Sequence, residues 1–253
     1  MKIAAAIVIV LLAGVAAKPG GLVKRGDALY GQYCLSCHGG NGEGTYPARR
    51  IGAGPQRSQT QQHAVAPALR GVGALAADFY LRTGYMPLRA QIGVQPRRSR
   101  VLFTERQIRA LVAYVASLGN GPAIPKPQPQ RGNLSAGMHL FTDHCAGCHQ
   151  VVAQGGVVTG ALPPALEDAT DVQIAEAVRI GPFVMPRFSQ KSLSDRQLDS
   201  IIRYVDYTKH PNDTGGWSLG DIGPVPEGLV TWFIAAIALL GLCVVIGKKL
   251  KDA

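Results

Sequence analysis

Cys34-Leu-Ser-Cys37-His38 and Cys145-Ala-Gly-Cys148-His149 are two copies of one pattern, C-x-x-C-H, and together they use four of the five cysteines in the chain. Two thiols spaced by two residues on a helical turn lie along one edge, and the residue that follows presents an imidazole beside them. This is the attachment chemistry of a c-type haem: the thiols add to the vinyl groups as thioethers and the imidazole becomes the proximal iron ligand. A dithiol redox motif does not need the histidine, and a zinc site would have to gather its four ligands from both copies. Two complete copies therefore select two covalently bound haems c, attached at Cys34, Cys37, Cys145 and Cys148, with His38 and His149 as proximal ligands. Cys243, in an apolar run near the C-terminus, reads as a small buried hydrophobe.

The second axial position calls for Met or another His. Of the four methionines, Met1 is the initiator and Met138 precedes the second motif on its own entry helix. Met86 and Met185 remain, one for each motif, each followed by proline, which fixes φ and removes a donor in a loop that must deliver a thioether to a set place. His139 and His144 lie on the entry helix, and His63 sits in a Gln-rich loop with no counterpart in the other half, which leaves it as the next candidate for the first haem. His/Met ligation raises a haem's potential above that of bis-His.

The elements around the motifs also repeat. Gly26-Asp-Ala-Leu29-Tyr30 matches Gly137-Met-His-Leu140-Phe141, at an offset of 111 residues, and predicts a helix entering each haem motif. Pro67-Ala-Leu69 recurs as Pro164-Ala-Leu166, Arg82-Thr-Gly84 as Arg179-Ile-Gly181, and Met86-Pro87 as Met185-Pro186. Each unit closes on a helix opened by a capping box, Thr104 with Gln107 and Ser194 with Gln197. Ile108, Leu111, Val112 and Val115, like Leu198, Ile201, Ile202 and Val205, recur at helical spacing and give each closing helix one apolar stripe.

The expected architecture is mainly α: two tandem class I-like cytochrome c domains, 24–119 and 132–212, and a C-terminal transmembrane helix. The segment 120–131 between the domains contains Pro122, Pro125, Pro127 and Pro129 and reads as an extended, semi-rigid linker. Leu229 to Gly247 carries no charge over 19 residues, about 28 Å as a helix, long enough to cross the hydrocarbon core. A juxtamembrane segment, 213–228, precedes it, and residues 248–253 form a tail whose Lys248, Lys249 and Lys251 place the C-terminus in the cytoplasm and the haem domains outside. Residues 1–23 read as a signal peptide or an N-terminal anchor.

The net charge of +10 invites a nucleic-acid reading, but charged residues are 17% of the chain, 47% is hydrophobic, and no lysine-rich tract occurs, so no nucleic-acid partner is expected. The excess charge gathers in two insertions of the first unit. His38 to Pro67 spans 29 residues against 15 for His149 to Pro164, and Met86 to Thr104 spans 18 against 9 for Met185 to Ser194. Arg49, Arg50 and Arg57 lie in one, Arg89, Arg97, Arg98 and Arg100 in the other, which suggests a face that orients an acidic partner.

In its order of parts, and in Gly84-Tyr-Met86-Pro87, Met185-Pro186-Arg187-Phe188-Ser189 and Gly223-Pro224-Val-Pro226-Glu227-Gly228 leading into Trp232, the chain resembles the dihaem cytochrome c subunit of actinobacterial cytochrome bc1 complexes. The resemblance runs from Leu22 to Lys249. It implies an electron carrier within a quinol:cytochrome c reductase, partnered by a cytochrome b subunit, a Rieske iron–sulfur subunit and an aa3-type oxidase, in the cell membrane. It also implies that the first haem domain faces the Rieske protein and the second the oxidase. Two other readings share the haem content: a membrane-anchored dihaem enzyme, such as a peroxidase or thiosulfate dehydrogenase, and a dihaem subunit of a cbb3-type oxidase. An enzyme needs an exchangeable haem site with acid–base groups beside it.

Overall fold

The computed structural model describes residues 19–44, 66–88, 98–209 and 224–251. The first unit contains α1 (Pro19–Tyr33), α2 (Leu35–His38), α3 (Gly73–Arg82) and α4 (Glu105–Ser117). The second contains α5 (Leu134–His144), α6 (Ala146–His149), α7 (Asp171–Ile180) and α8 (Asp195–Lys209), and α9 (Pro224–Lys251) ends the chain. Among the described residues there is no strand, only an isolated bridge between Val158 and Ala161.

Each unit is built on a crossing of its entry and closing helices, and a glycine lets the backbones touch. A Cβ on Gly26 of α1 would lie 2.1 Å from the Ala110 carbonyl oxygen of α4, and one on Gly137 of α5 would lie 1.9 Å from that of Ser200 on α8. Aromatic pairs lock both crossings, Tyr30 against Tyr114 with ring centroids 4.9 Å apart and Phe141 against Tyr204 at 5.4 Å. The two predicted stripes are buried: Ile108, Leu111, Val112 and Val115 in one core, Leu198, Ile201, Ile202 and Val205 in the other. Burial of such a side chain stabilises by roughly 1.5–3 kcal/mol, so these stripes dominate the packing of two small units.

Both capping boxes form. The Thr104 N–H donates to Gln107 Oε1 at 2.9 Å and the Ser194 N–H to Gln197 Oε1 at 2.9 Å. A third opens α7, where the Thr170 N–H donates to Gln173 Oε1 (3.0 Å) and the Gln173 N–H returns to Thr170 Oγ1 (3.3 Å). An ion pair repeats as well: Arg82 at the end of α3 reaches Glu105 at the start of α4 (2.9 Å), and Arg179 at the end of α7 reaches Asp195 at the start of α8 (2.6 Å).

Several expectations change. The described part of α1 reaches back to Pro19 and Val23 packs on the first core, so the last residues assigned to a leader belong to the entry helix. Residues 1–18 lie outside the described residues. The linker is strapped down: the Leu75 N–H donates to the Pro122 carbonyl (3.1 Å) and the Gln128 N–H to Asp199 Oδ1 (2.7 Å). Pro129–Arg131 forms a 3-10 turn, not extended chain, because proline at the first helical position costs nothing. The described part of α9 reaches back to Pro224, inside the segment read as juxtamembrane.

Gly228–Lys251 of α9, with a mean hydropathy of 2.8 over an 18-residue window, is long and apolar enough to cross a membrane, and none of that window is buried within the chain. Cys243 accordingly is exposed on α9, not buried.

Candidate functional site

The two C-x-x-C-H segments adopt one conformation. Cys34 has φ −122° and ψ −31°, Cys145 has φ −123° and ψ −37°, and each closes the entry helix while opening the next turn. In both, the histidine N–H donates to the first cysteine's carbonyl at 2.9 Å and the second cysteine's N–H to the same oxygen at 3.1 Å. Both thiols and the imidazole of each motif thus sit on a single turn. Burial pushes the Cys34 and Cys145 thiols up to about 11, so both are protonated at neutral pH.

The histidines are oriented by a contact that spans the repeat. Nδ1 of His38 lies 2.9 Å from the Pro67 carbonyl oxygen, and Nδ1 of His149 lies 3.1 Å from that of Pro164. A carbonyl only accepts, so Nδ1 carries the proton and Nε2 keeps its lone pair for a metal. Burial holds the His149 pKa below its ordinary value, which keeps the ring neutral. The proline segments are themselves fixed to the loop after each motif, with the Leu69 N–H donating to Gly42 (2.8 Å) and the Leu166 N–H to Ala153 (2.9 Å). Sequence comparison shows Pro67-Ala-Leu69 and Pro164-Ala-Leu166 as a repeat; only the folded chain shows that their carbonyls set the histidine tautomer.

Met185 lies against the second core and lines a cavity shared with Cys145, Cys148 and His149, walled by Ile174, Val178 and Leu166. Its loop is held at both ends, by the Met185 N–H on the Pro182 carbonyl (3.0 Å) and the Phe188 N–H on that of Val178 (2.9 Å). Met86 packs on the first core, with its N–H on the Tyr80 carbonyl at 3.0 Å. Two thiols, an imidazole with a free Nε2 and a thioether around an apolar cavity are the donor set that a haem c requires, and the second cavity fits it. Among the other histidines, His144 packs on the Phe188 ring at 5.8 Å, while His63 and His210 lie outside the described residues.

The cavity also receives Phe79, Tyr85 and Arg98 from the first unit. Phe183, two residues before Met185, packs its ring 4.8 Å from that of Tyr85, the neighbour of Met86. Phe183 holds φ +56°, a conformation costly for an aromatic residue and retained where the surroundings demand it. The two methionine loops therefore meet across the boundary between the units. Arg98, expected on a docking face, donates through Nε to the Thr83 carbonyl at 2.9 Å and lies 6.0 Å from the Tyr85 ring centroid. Arg49, Arg50, Arg57, Arg89 and Arg97 lie outside the described residues.

The cytochrome c family model matches residues 23–119, and the model for cytochrome c oxidase, cbb3-type, subunit III matches 132–205. A cytochrome bc1 complex cytochrome c subunit from Mycobacterium bovis is 35% identical over 237 residues, covering 90% of this chain and 78% of the relative. The protein of the same name from Mycobacterium leprae is 34% identical over 238 residues, 90% and 76% of the two chains. That from Corynebacterium diphtheriae is 30% identical over 246 residues, 90% and 81%. Cytochrome c domains carry covalently bound haem c, and with two such domains followed by an apolar helix this chain belongs to the family of cytochrome bc1 complex cytochrome c subunits.

Proposed function

We propose that the chain is the dihaem electron-transfer subunit of a respiratory quinol:cytochrome c reductase, taking electrons from a Rieske iron–sulfur subunit and delivering them to an aa3-type oxidase. One haem c would be held by Cys34, Cys37, His38 and Met86, the other by Cys145, Cys148, His149 and Met185. When bound, each haem supplies a one-electron iron couple. The rest is done by the chain. Pro67 and Pro164 fix the imidazole tautomers, the two methionine loops would each offer a thioether, and the apolar cavity wall would exclude water. The observation that carries this reading is the repetition of the whole set, thiols, oriented imidazole and tethered methionine loop, in one chain whose relatives are bc1 complex subunits.

Entry at the first unit and exit at the second are what the family resemblance implies. Val157, Leu162 and Val184, exposed around the second site, suit a dry contact with a partner protein. Lys248, Lys249 and Lys251 support a cytoplasmic C-terminus, with the haem domains on the other side and the cytochrome b subunit as the partner in the bilayer. The cbb3-type match covers one domain alone, whereas the bc1 relatives match along 90% of the chain. Affinity purification of the tagged full chain in mild detergent tests the assignment. Recovery of cytochrome b, Rieske and aa3-oxidase subunits is expected. Recovery of a cbb3-type catalytic subunit, or of a lone chain with peroxidase or thiosulfate dehydrogenase activity, would overturn it.

A further inference from the structure

Where α3 of the first unit packs on α7 of the second, Glu176 is wholly buried and neither carboxyl oxygen meets an N–H or O–H donor. The polar groups facing it come from α3. Asp78, itself 3% exposed, is engaged by Arg82 Nε at 2.7 Å, and the same guanidinium is also held by Glu105. On its own helix Arg179 is turned away, bonded to Asp195 and to the carbonyls of Phe188 and Leu193. Asp206 and Lys209 of α8 lie at the far end of α7 beside Asp171, and Lys126 of the linker lines a separate groove with Ala175 and Arg179. The site thus holds two carboxyls and one guanidinium, which is already shared with a third carboxylate.

Two carboxylates only accept hydrogen bonds, so this pair is satisfied only when one of them carries a proton. A second buried negative charge with no cation of its own would be expelled into water, and the only way to hydrate Glu176 is to part α3 from α7. We propose that Glu176 and Asp78 share one proton across the boundary between the units, and that this proton holds the two methionine loops in register. Glu176 is a positioning residue for electron passage from one domain to the other. The inference rests on the proposed function only for what the register serves; the carboxyl pair stands on the packing alone.

Burial, reinforced by Asp78, lifts the Glu176 pKa to about 8, whereas a hydrated glutamate releases its proton near the ordinary value of 4.5. The docked arrangement therefore binds more protons than the parted one between those values. The docked-to-parted ratio falls by up to about tenfold for each pH unit between them, and it stops changing above about 8, where both forms are ionised.

The test uses the full-length holoprotein in detergent, with Cys243→Ser and spin labels at Arg106→Cys on α4 and Arg196→Cys on α8, both exposed. Its two readouts are the interdomain distance distribution from pH 5 to 10 and the infrared carbonyl band of a protonated carboxylic acid. The wild-type protein is expected to show that band at pH 7 and a distance population that moves to longer values as pH rises, then levels off. Glu176→Gln keeps the shape and the donor without the titration: it should lack the band and hold one distance at every pH. Asp78→Asn frees Arg82 for Glu176, which should remove the band at pH 7 and flatten the pH response. A wild-type protein without the band, an unchanging wild-type distance, or the same pH response in Glu176→Gln would each overturn the proposal. None of these outcomes depends on which partners donate or accept electrons.

Discussion

The first and second haem units solve one positioning problem with the same backbone and different side chains. Both cross their terminal helices at a glycine, cap the closing helix with a hydroxyl and a glutamine, and tie the preceding helix to it through Arg82–Glu105 or Arg179–Asp195. They differ in how the loop after the motif is held. In the first unit the Tyr30 hydroxyl on the entry helix donates to the Gly39 carbonyl at 2.6 Å. Phe141 at the equivalent place has no hydroxyl, and Tyr204 on the closing helix donates to the Val151 carbonyl at 2.8 Å. The residue after the histidine is Gly39 in one unit and Gln150 in the other, at φ +78° and +64°. What stays constant is the geometry of the thiols, the imidazole and the proline carbonyl, which marks these as the parts that the chemistry constrains.

The most severe way to break the equivalence is to remove one attachment site. Replacing Cys34 and Cys37, or Cys145 and Cys148, with Ala should halve the covalent haem per chain and unfold the domain affected, since each core relies on a large apolar group that its few aromatics do not replace. Haem staining of denatured protein and the helical content of the variant measure both effects. An unchanged haem-to-protein ratio would remove the assignment.

A smaller effect is expected at the crossings. Gly26→Ala and Gly137→Ala each force a methyl group into a carbonyl oxygen, and each should destabilise its own unit by about 3 kcal/mol while the other unit is unaffected. Denaturant unfolding followed at each haem separates the two. Equal losses in both units from one substitution would show that they fold as a single cooperative body.

Much of this was legible in the sequence because the chemistry is local. C-x-x-C-H, the capping boxes and the apolar stripes each lie within a few residues, and backbone geometry alone relates them. The His–proline carbonyl contact spans 29 residues in one unit and 15 in the other, so the repeat was visible but its purpose was not. Glu176 sits in the second turn of an ordinary amphipathic helix and reads as a solvated charge. Its burial follows from packing between units, which no helical period reports. Arg98 reads as part of a basic docking loop, but contacts within its own unit draw its guanidinium onto the Thr83 carbonyl and the Tyr85 ring, which charge patterning does not report.

The mildest substitution sharpens the comparison. Gln150 holds φ +64° and ψ +161°, a region open essentially to glycine, and Gly39 occupies the equivalent place at no such cost. Gln150→Gly should stabilise the second unit by about 1 kcal/mol after the entropy that glycine adds to the unfolded chain is subtracted. Thermal unfolding measured at the second haem checks the sign.

The claim that both units hold a haem between a histidine and a methionine is tested most directly by the sulfur-to-iron absorption of the oxidised holoprotein, compared among the wild-type chain, Met86→Leu and Met185→Leu. Leucine conserves volume but offers iron no sulfur. The account predicts that each variant loses about half of that absorption, lowers the potential of one haem and opens that haem to carbon monoxide, with both covalent haems retained. Full absorption and unchanged potentials in either variant would contradict it and send the search for that iron's ligand elsewhere, to His63 first in the case of the first unit.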